Sequence, residues 1–245
     1  MTIRHINPGD HKIDYFSQDS YDNLIHKFPG AETIEQNYAA SWHDMFILSV
    51  LDGKKSGTYV EIGGSDPIRI NNTYLLETQF DWTGVSFEIE QSWVDKYRSV
   101  RKNPIVKENA ITCDMSAILN EYDMPTHIDY LQVDIEPPSN TLAALKNVPF
   151  DEYTFSIIHF EHDFYADNHT HKRVAKEAYD ILTERGYKLA VENVGLYEDW
   201  YYNPDTVDPE IVSNFIKERH DYNMNKFYWG HETVTNFPHD MRDYE

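Results

Sequence analysis

Cysteine is almost absent from this chain: Cys113 is the single thiol in 245 residues. An internal disulfide is therefore excluded, and a reducing compartment is the natural setting. Long apolar runs are missing as well. No window approaches a membrane span, and the opening MTIRHINPGDHKIDYF lacks the apolar stretch of a signal peptide. A cytoplasmic protein without membrane partners is expected. Basic residues are scarce, 21 Lys and Arg against 42 Asp and Glu, for a formal net charge of −21. That surface repels phosphate backbones, so nucleic acid is a poor partner, and anionic bilayers are too. Solubility or a salty milieu accounts for the acidity more simply than ligand steering does. Repeats, linkers and low-complexity segments are also missing. One domain over residues 1–245 is expected, with an arm (1–30), a core (31–204) and a C-terminal helix and tail (205–245).

Hydrophobic residues make up 40% of the chain and aromatics 14%, enough at this length to bury one substantial core. A helix is expected over Thr33–Leu51, stopped at Asp52-Gly53. Strands are expected at Thr58–Ile62, Val85–Ile89, Ile105–Lys107, Ile128–Ile135, Tyr153–Phe160 and Tyr187–Val194. Helical patterns lie between them at Asn71–Phe80, Ser92–Arg101, Met115–Tyr122, Asn140–Val148 and His171–Arg185, and a last helix falls within Pro204–Arg219. Strands alternating with helices specify an α/β fold, a doubly wound and mostly parallel sheet with helices on both faces. A seventh strand would lie within Tyr197–Tyr202.

The most telling segment is Gly57–Glu90, a strand, a glycine turn, a helix and a second strand that ends in an acid. Gly63 and Gly64 are suited to a turn where the backbone approaches a ligand. Glu88 follows about 25 residues later, where a carboxylate can accept both hydroxyls of a ribose. The dinucleotide fingerprint needs a third glycine, but Ser65, Asp66 and Pro67 come next, and Asp66 would repel a phosphate. Glu61-x-Gly63-Gly64-Ser65 suits a cofactor with an amino-acid head and no phosphates. S-adenosylmethionine is the common cofactor of that kind.

Ligands in open α/β sheets sit beyond the carboxyl ends of the strands. Asp134 and Glu136 alternate on one side of the LQVDIEPP strand end, and Asp134 follows a buried run where an unpaired carboxylate is costly. Helix capping is the alternative role for Asp134, but Ser139 and Asn140 already suit that task. The next strand ends in His159-Phe160-Glu161-His162-Asp163. Histidine among carboxylates could serve a divalent metal or act as a general base. The spacing of three on a strand end supports a metal only weakly, and no metal-ligand set is assigned. A base is favoured, because a hydroxyl acceptor must lose its proton as it is methylated. His162, further beyond the strand, is expected to reach solvent and substrate, with Asp134 and Glu161 shaping or polarising the site; His159 is expected to be packed. Tyr197–Tyr202 reads equally as a sugar-stacking surface or as a hairpin that packs its aromatics on the core.

With these motifs in hand, the chain resembles the FkbM-type methyltransferases from about Ala40 to Pro204. The likeness rests on YVEIGGSD, INNTYLLE, DWTGVSFE, IDYLQVDIE, IIHFEHD and RGYKLAV, taken in that order. It implies a class I methyltransferase fold, Rossmann-like with seven strands. It further implies that Glu61, Gly63 and Gly64 cradle the methionine end of S-adenosylmethionine, with Asn72 near its carboxylate and Asp134 beside its amine and the transfer site. Glu88 would hold the ribose, and Asn109 and Ala110 would flank the adenine. Two departures stand out. GGSDP replaces a more glycine-rich turn, and IEPPSN places Pro137 and Pro138 where a glycine and an acid are usual. The expected activity is O-methyl transfer to a hydroxyl of a sugar, glycan or similar small molecule. A nicotinamide-dependent oxidoreductase and a non-catalytic glycan- or cofactor-binding protein are the rival readings.

Overall fold

The computed structural model describes residues 27–34, 38–39, 43–163, 169–194 and 197–217. The expected arm up to residue 26 and the tail beyond 217 lie outside these. Along the chain run α1 (His43–Val50), β1 (Thr58–Ile62), α2 (Tyr74–Phe80), β2 (Thr83–Glu88), α3 (Gln91–Val100), β3 (Ile105–Lys107) and α4 (Met115–Glu121). They are followed by β4 (His127–Val133), α5 (Pro138–Asn147), β5 (Thr154–Glu161), α6 (His169–Glu184), β6 (Lys188–Val194), β7 (Glu198–Tyr202) and α7 (Pro209–Lys217). Most elements fall within about two residues of the expected bounds. The exception is the expected helix from Thr33. Ala31–Thr33 is a single 3-10 turn, Ile34 leaves it extended to bury its side chain, and α1 is described only from His43.

Alternating apolar residues drive both faces of the sheet into cores. Tyr59, Tyr130, Ile157 and Trp200 pack with Met45 and Phe46 of α1, Leu75 and Leu76 of α2 and Val212 of α7. Val60, Ile62, Leu131, Val133, Ile158 and Phe160 face α4, α5 and α6 through Leu119, Leu142, Leu145, Val174 and Leu182. Strands buried on both faces read as near-continuous apolar runs, the mark of a parallel interior sheet. The strand order is β3-β2-β1-β4-β5-β7-β6. β1 through β5 pair in parallel, and β7 lies antiparallel between β5 and β6. This is the class I methyltransferase fold. The β6–β7 hairpin also decides between the two roles open for the tyrosine-rich segment. Trp200 and Tyr201 are fully buried and Tyr202 nearly so, so these rings belong to the core.

β1 is flanked by β2 on one side and β4 on the other, so the winding of the chain reverses there. A crevice opens beyond the carboxyl ends of strands at such a switch point, and ligands bind in it. Gly63 stands at this junction with φ 95, and a Cβ on it would lie 1.7 Å from the carbonyl oxygen of Asp134. Only glycine combines that backbone angle with that approach. The glycine expected to admit a ligand therefore first admits the neighbouring strand.

Candidate functional site

Three successive amides of the turn after β1 are already engaged. Gly63 and Gly64 donate to the Phe87 carbonyl at 3.0 and 3.1 Å, and Ser65 donates to Glu88 Oε2 at 3.0 Å. A pyrophosphate-binding turn works by pointing free N–H groups at the ligand, and this turn offers none of the three. A Cβ on Gly64 would meet Ile105 Cδ1 at 3.2 Å, so its missing side chain accommodates β3. Asp66 is turned into the loop, where it accepts from the amides of Ile68 and Arg69 and from Lys96 Nζ at 2.6 Å. Glu88 caps β2 half-buried and also accepts the amides of Ile89 and Glu90 at 2.8 and 2.9 Å.

Glu61 lies one pleat beneath the turn and is fully enclosed. Ser86 Oγ donates to it at 2.6 Å, Thr73 Oγ1 at 2.9 Å and Asn71 Nδ2 at 3.2 Å. Burial pushes its carboxyl above the ordinary range, and the nearby Arg101 with the Ser86 and Thr73 donors offsets part of that rise. Arg101 organises the region. Its guanidinium donates to Glu77 at 2.7 Å, to the Pro67 carbonyl and Asn71 Oδ1 at 3.0 Å, to Thr73 Oγ1 at 2.9 Å and to Tyr59 Oη at 3.1 Å. It also lies over the Tyr97 ring at 4.6 Å. The segment that follows the glycine turn is thus clamped from below by one buried cation. Nothing in the RKNP sequence around Arg101 announced this role.

Asp134 and Glu161 come together at the ends of β4 and β5 as a hydrogen-bonded carboxyl pair. Burial pushes Glu161 far up, and the charge and hydrogen bond of Asp134, with Asp163 and Glu198 beyond, push the same way. Glu136 is raised to about 7 by partial burial and by its contact with Asp163, with Asp134 adding charge. Among the described residues no lysine or arginine pairs with these five acids. Nor does any group of three or more described His, Cys, Asp or Glu side chains form a site for a metal ion.

Of the two histidines at the end of β5, His162 departs from expectation. His162 is fully buried, not solvent-facing, with Nε2 3.5 Å from Asp199 Oδ1. Strand alternation puts it on the sheet face opposite Glu161, and its amide is tied to the Tyr197 carbonyl at 2.6 Å. His159 is packed as expected. It stacks on Trp200 at 4.6 Å, Nδ1 meets Tyr130 Oη at 3.1 Å, and burial beside His43 holds its pKa well below the ordinary value. His43, at the start of α1, contacts Glu198 Oε1, which also accepts from Trp200 Nε1 at 2.9 Å. That histidine–glutamate contact escaped sequence reasoning. A histidine and an aspartate opening the helix before β1 were its only trace.

Two buried amides are left half-used. Asn72 bonds to the Tyr130 hydroxyl, yet its Oδ1 has no donor, and neither has Oε1 of Gln132; both residues are 5% exposed. Asn109, exposed, accepts the Ile111 amide at 2.9 Å, while buried Ala110 accepts Asn147 Nδ2 at 3.0 Å. These two flank the loop after β3, on the far side of Glu88 from Asp134. Expected cofactor contacts therefore line the strand ends from β3 to β4. The donor set fits S-adenosylmethionine: half-satisfied acceptors and an acid pair on one side of the turn for its cationic end, and Glu88 on the other for its ribose.

No protein-family model matches this chain, and no curated protein does. Solved structures of similar path include a putative rRNA-methylase from Clostridium thermocellum, 13% identical over 65% of this chain and 92% of that one, with a TM-score of 0.46. A TehB-like SAM-dependent methyltransferase from Corynebacterium glutamicum is 9% identical over 71% and 91%, at 0.43. Aeropyrum pernix fibrillarin, solved with natively bound S-adenosyl-L-methionine, is 11% identical over 60% and 67%, at 0.42. None of the three reaches a TM-score of 0.5. The strand order carries the fold assignment.

Proposed function

We propose that this protein is an S-adenosylmethionine-dependent methyltransferase that methylates a hydroxyl of a sugar, glycan or similar small molecule. The observation that carries the reading is the turn after β1. Its three amides are consumed by Phe87 and Glu88, which disfavours a pyrophosphate and therefore the nicotinamide alternative. Acceptors dominate the surrounding strand ends, as a cationic cofactor requires. The ordered motifs shared with the FkbM-type enzymes support the same cofactor, without a matching family model.

When bound, the cofactor supplies a methyl group made electrophilic by its sulfonium. The protein's part is to hold the acceptor oxygen in line and to take its proton. Glu61, Gly63, Gly64, Ser65 and Asn72 would hold the methionine end, with Glu88 at the ribose and Asn109 and Ala110 at the adenine. His162, enclosed against Asp199, is poorly placed to take a proton from an acceptor. Asp134 and Glu161 are half-exposed at the strand ends and better placed for it. An acceptor rich in hydroxyls and free of phosphate suits this acidic surface.

Calorimetric titration with S-adenosylhomocysteine tests the reading. Micromolar binding is expected, and Glu88→Ala should weaken it at least tenfold, a loss of about 1.4 kcal/mol. Absence of binding for both the methylated and demethylated cofactor would sink the proposal. Binding without turnover on any pool of hydroxylated compounds would favour the non-catalytic alternative.

A further inference from the structure

Two carboxyl groups within hydrogen-bonding distance hold one proton between them, because the doubly ionised pair repels itself. Asp134 and Glu161 form such a pair: they directly follow Val133 and Phe160, register partners on the adjacent parallel strands β4 and β5. The other ionisable groups around it are mostly acids: Glu136 and Asp163 at the same strand ends and Glu198 on β7, the last engaged by His43 of α1. Below it on the same sheet face lie the hydroxyl of Tyr130 and the ring of His159, bonded to each other.

A second observation, independent of the acids, points to a ligand. Gln132 precedes Asp134 by two residues and shares its face of β4; it is 5% exposed, and its Oε1 has no donor. Asn72 Oδ1, across Tyr130, is in the same condition. A buried acceptor without a donor is costly, and here one lies a pleat below Asp134 and another beside the Tyr130 hydroxyl. Acidic and amide oxygens gathered at these strand ends match a ligand that brings donors and positive charge.

We infer that the Asp134–Glu161 pair seats the sulfonium of S-adenosylmethionine and releases its shared proton when that cofactor enters. The inference rests on the methyltransferase reading. A positive charge beside two carboxyls favours their ionised form. S-adenosylhomocysteine carries the same ammonium but a neutral sulfur, so it leaves the shared proton in place. The ionised pair then serves as the base for the acceptor hydroxyl. As the O–C bond forms and the C–S bond breaks with its electrons kept by sulfur, the hydroxyl proton passes to a carboxylate of the pair. Positive charge on sulfur disappears in the step that restores the proton, so the charge of the site is the same before and after transfer.

Calorimetry of the full chain with each cofactor form, in buffers of different ionisation enthalpy near pH 7, counts the protons exchanged. S-adenosylmethionine should release about one proton more than S-adenosylhomocysteine. That difference should vanish in Glu161→Gln and in Asp134→Asn. Equal proton exchange for the two ligands overturns the inference. So does a difference that survives in both variants, since it would belong to Glu136, Asp163 or the His43–Glu198 contact. Should either variant fail to fold, the wild-type affinity ratio decides. The preference for the methylated form should rise by about tenfold per pH unit while the pair titrates, and a flat ratio rejects the idea. Failure of both ligands to bind removes the methyltransferase reading itself, and this inference with it.

Discussion

The enclosed acids on one side of the β1–β4 junction and the half-buried acids on the other are held in opposite ways. Glu61 and Glu77 lie under the glycine turn among hydroxyls, amides and the guanidinium of Arg101, and nearly every oxygen has a donor. Asp134 and Glu161 meet each other instead, with further acids around them and no lysine or arginine among the described residues to balance them. A compensated carboxylate in a protein interior holds structure together. An uncompensated one is maintained at a cost in stability, which is the expected condition of a group that awaits a ligand.

If this contrast is sound, Arg101→Met should do the most damage. It strands Glu77 and unclamps the turn, and breaking such a buried pair costs about 3–5 kcal/mol, measurable by urea denaturation. A loss below about 1 kcal/mol would erase the distinction between the two sides. Gly63→Ala should come next. The left-handed backbone angle and the overlap with the Asp134 carbonyl each cost roughly 1–3 kcal/mol. Cofactor affinity should fall with stability, because both sides meet at this residue.

Glu161→Gln should behave in the reverse manner. The side chain it replaces is held largely protonated by burial and by Asp134, and glutamine has nearly the same shape. Stability at neutral pH should stay within about 1 kcal/mol of the parent, while turnover is lost. A large fall in melting temperature would place Glu161 with the structural acids. The smallest effect belongs to Glu136. Its folded pKa is raised from 4.5 to about 7, so its contribution to stability is fully present below about pH 4.5 and is lost as pH rises through 7. Glu136→Gln should flatten the melting temperature over that window, and an unchanged slope would show that burial and Asp163 do not raise its carboxyl in the folded protein.

The fold was largely legible because hydrophobic periodicity is local. Runs such as IDYLQV and FSIIHF need no partner to read as buried strands. The helix expected from Thr33 overruns at its start: its apolar spacing falls on Met45, Phe46 and Leu48, inside α1, whereas Ile34 reaches the core from extended backbone. Sequence order also singled out Glu61, Gly63, Glu88, Asp134 and Glu161, since each ends or nearly ends a strand. It misjudged His162. Position beyond a strand implies access to solvent, whereas the β6–β7 hairpin folds against that strand end and encloses the ring with Asp199.

Residue types and their spacing along the chain settled the strand–turn–helix order, the absence of a phosphate-binding glycine and the acids at the strand ends. Those are short-range properties, readable within a few tens of residues. Which acids are neutralised could not be read this way. Arg101 lies 24 residues from Glu77 and 40 from Glu61 along the chain, and it comes close to them only because α3 returns across the sheet. The pairing of Asp134 with Glu161 likewise requires β4 and β5 to lie side by side. Charge compensation depends on distance in space, and packing alone sets that distance.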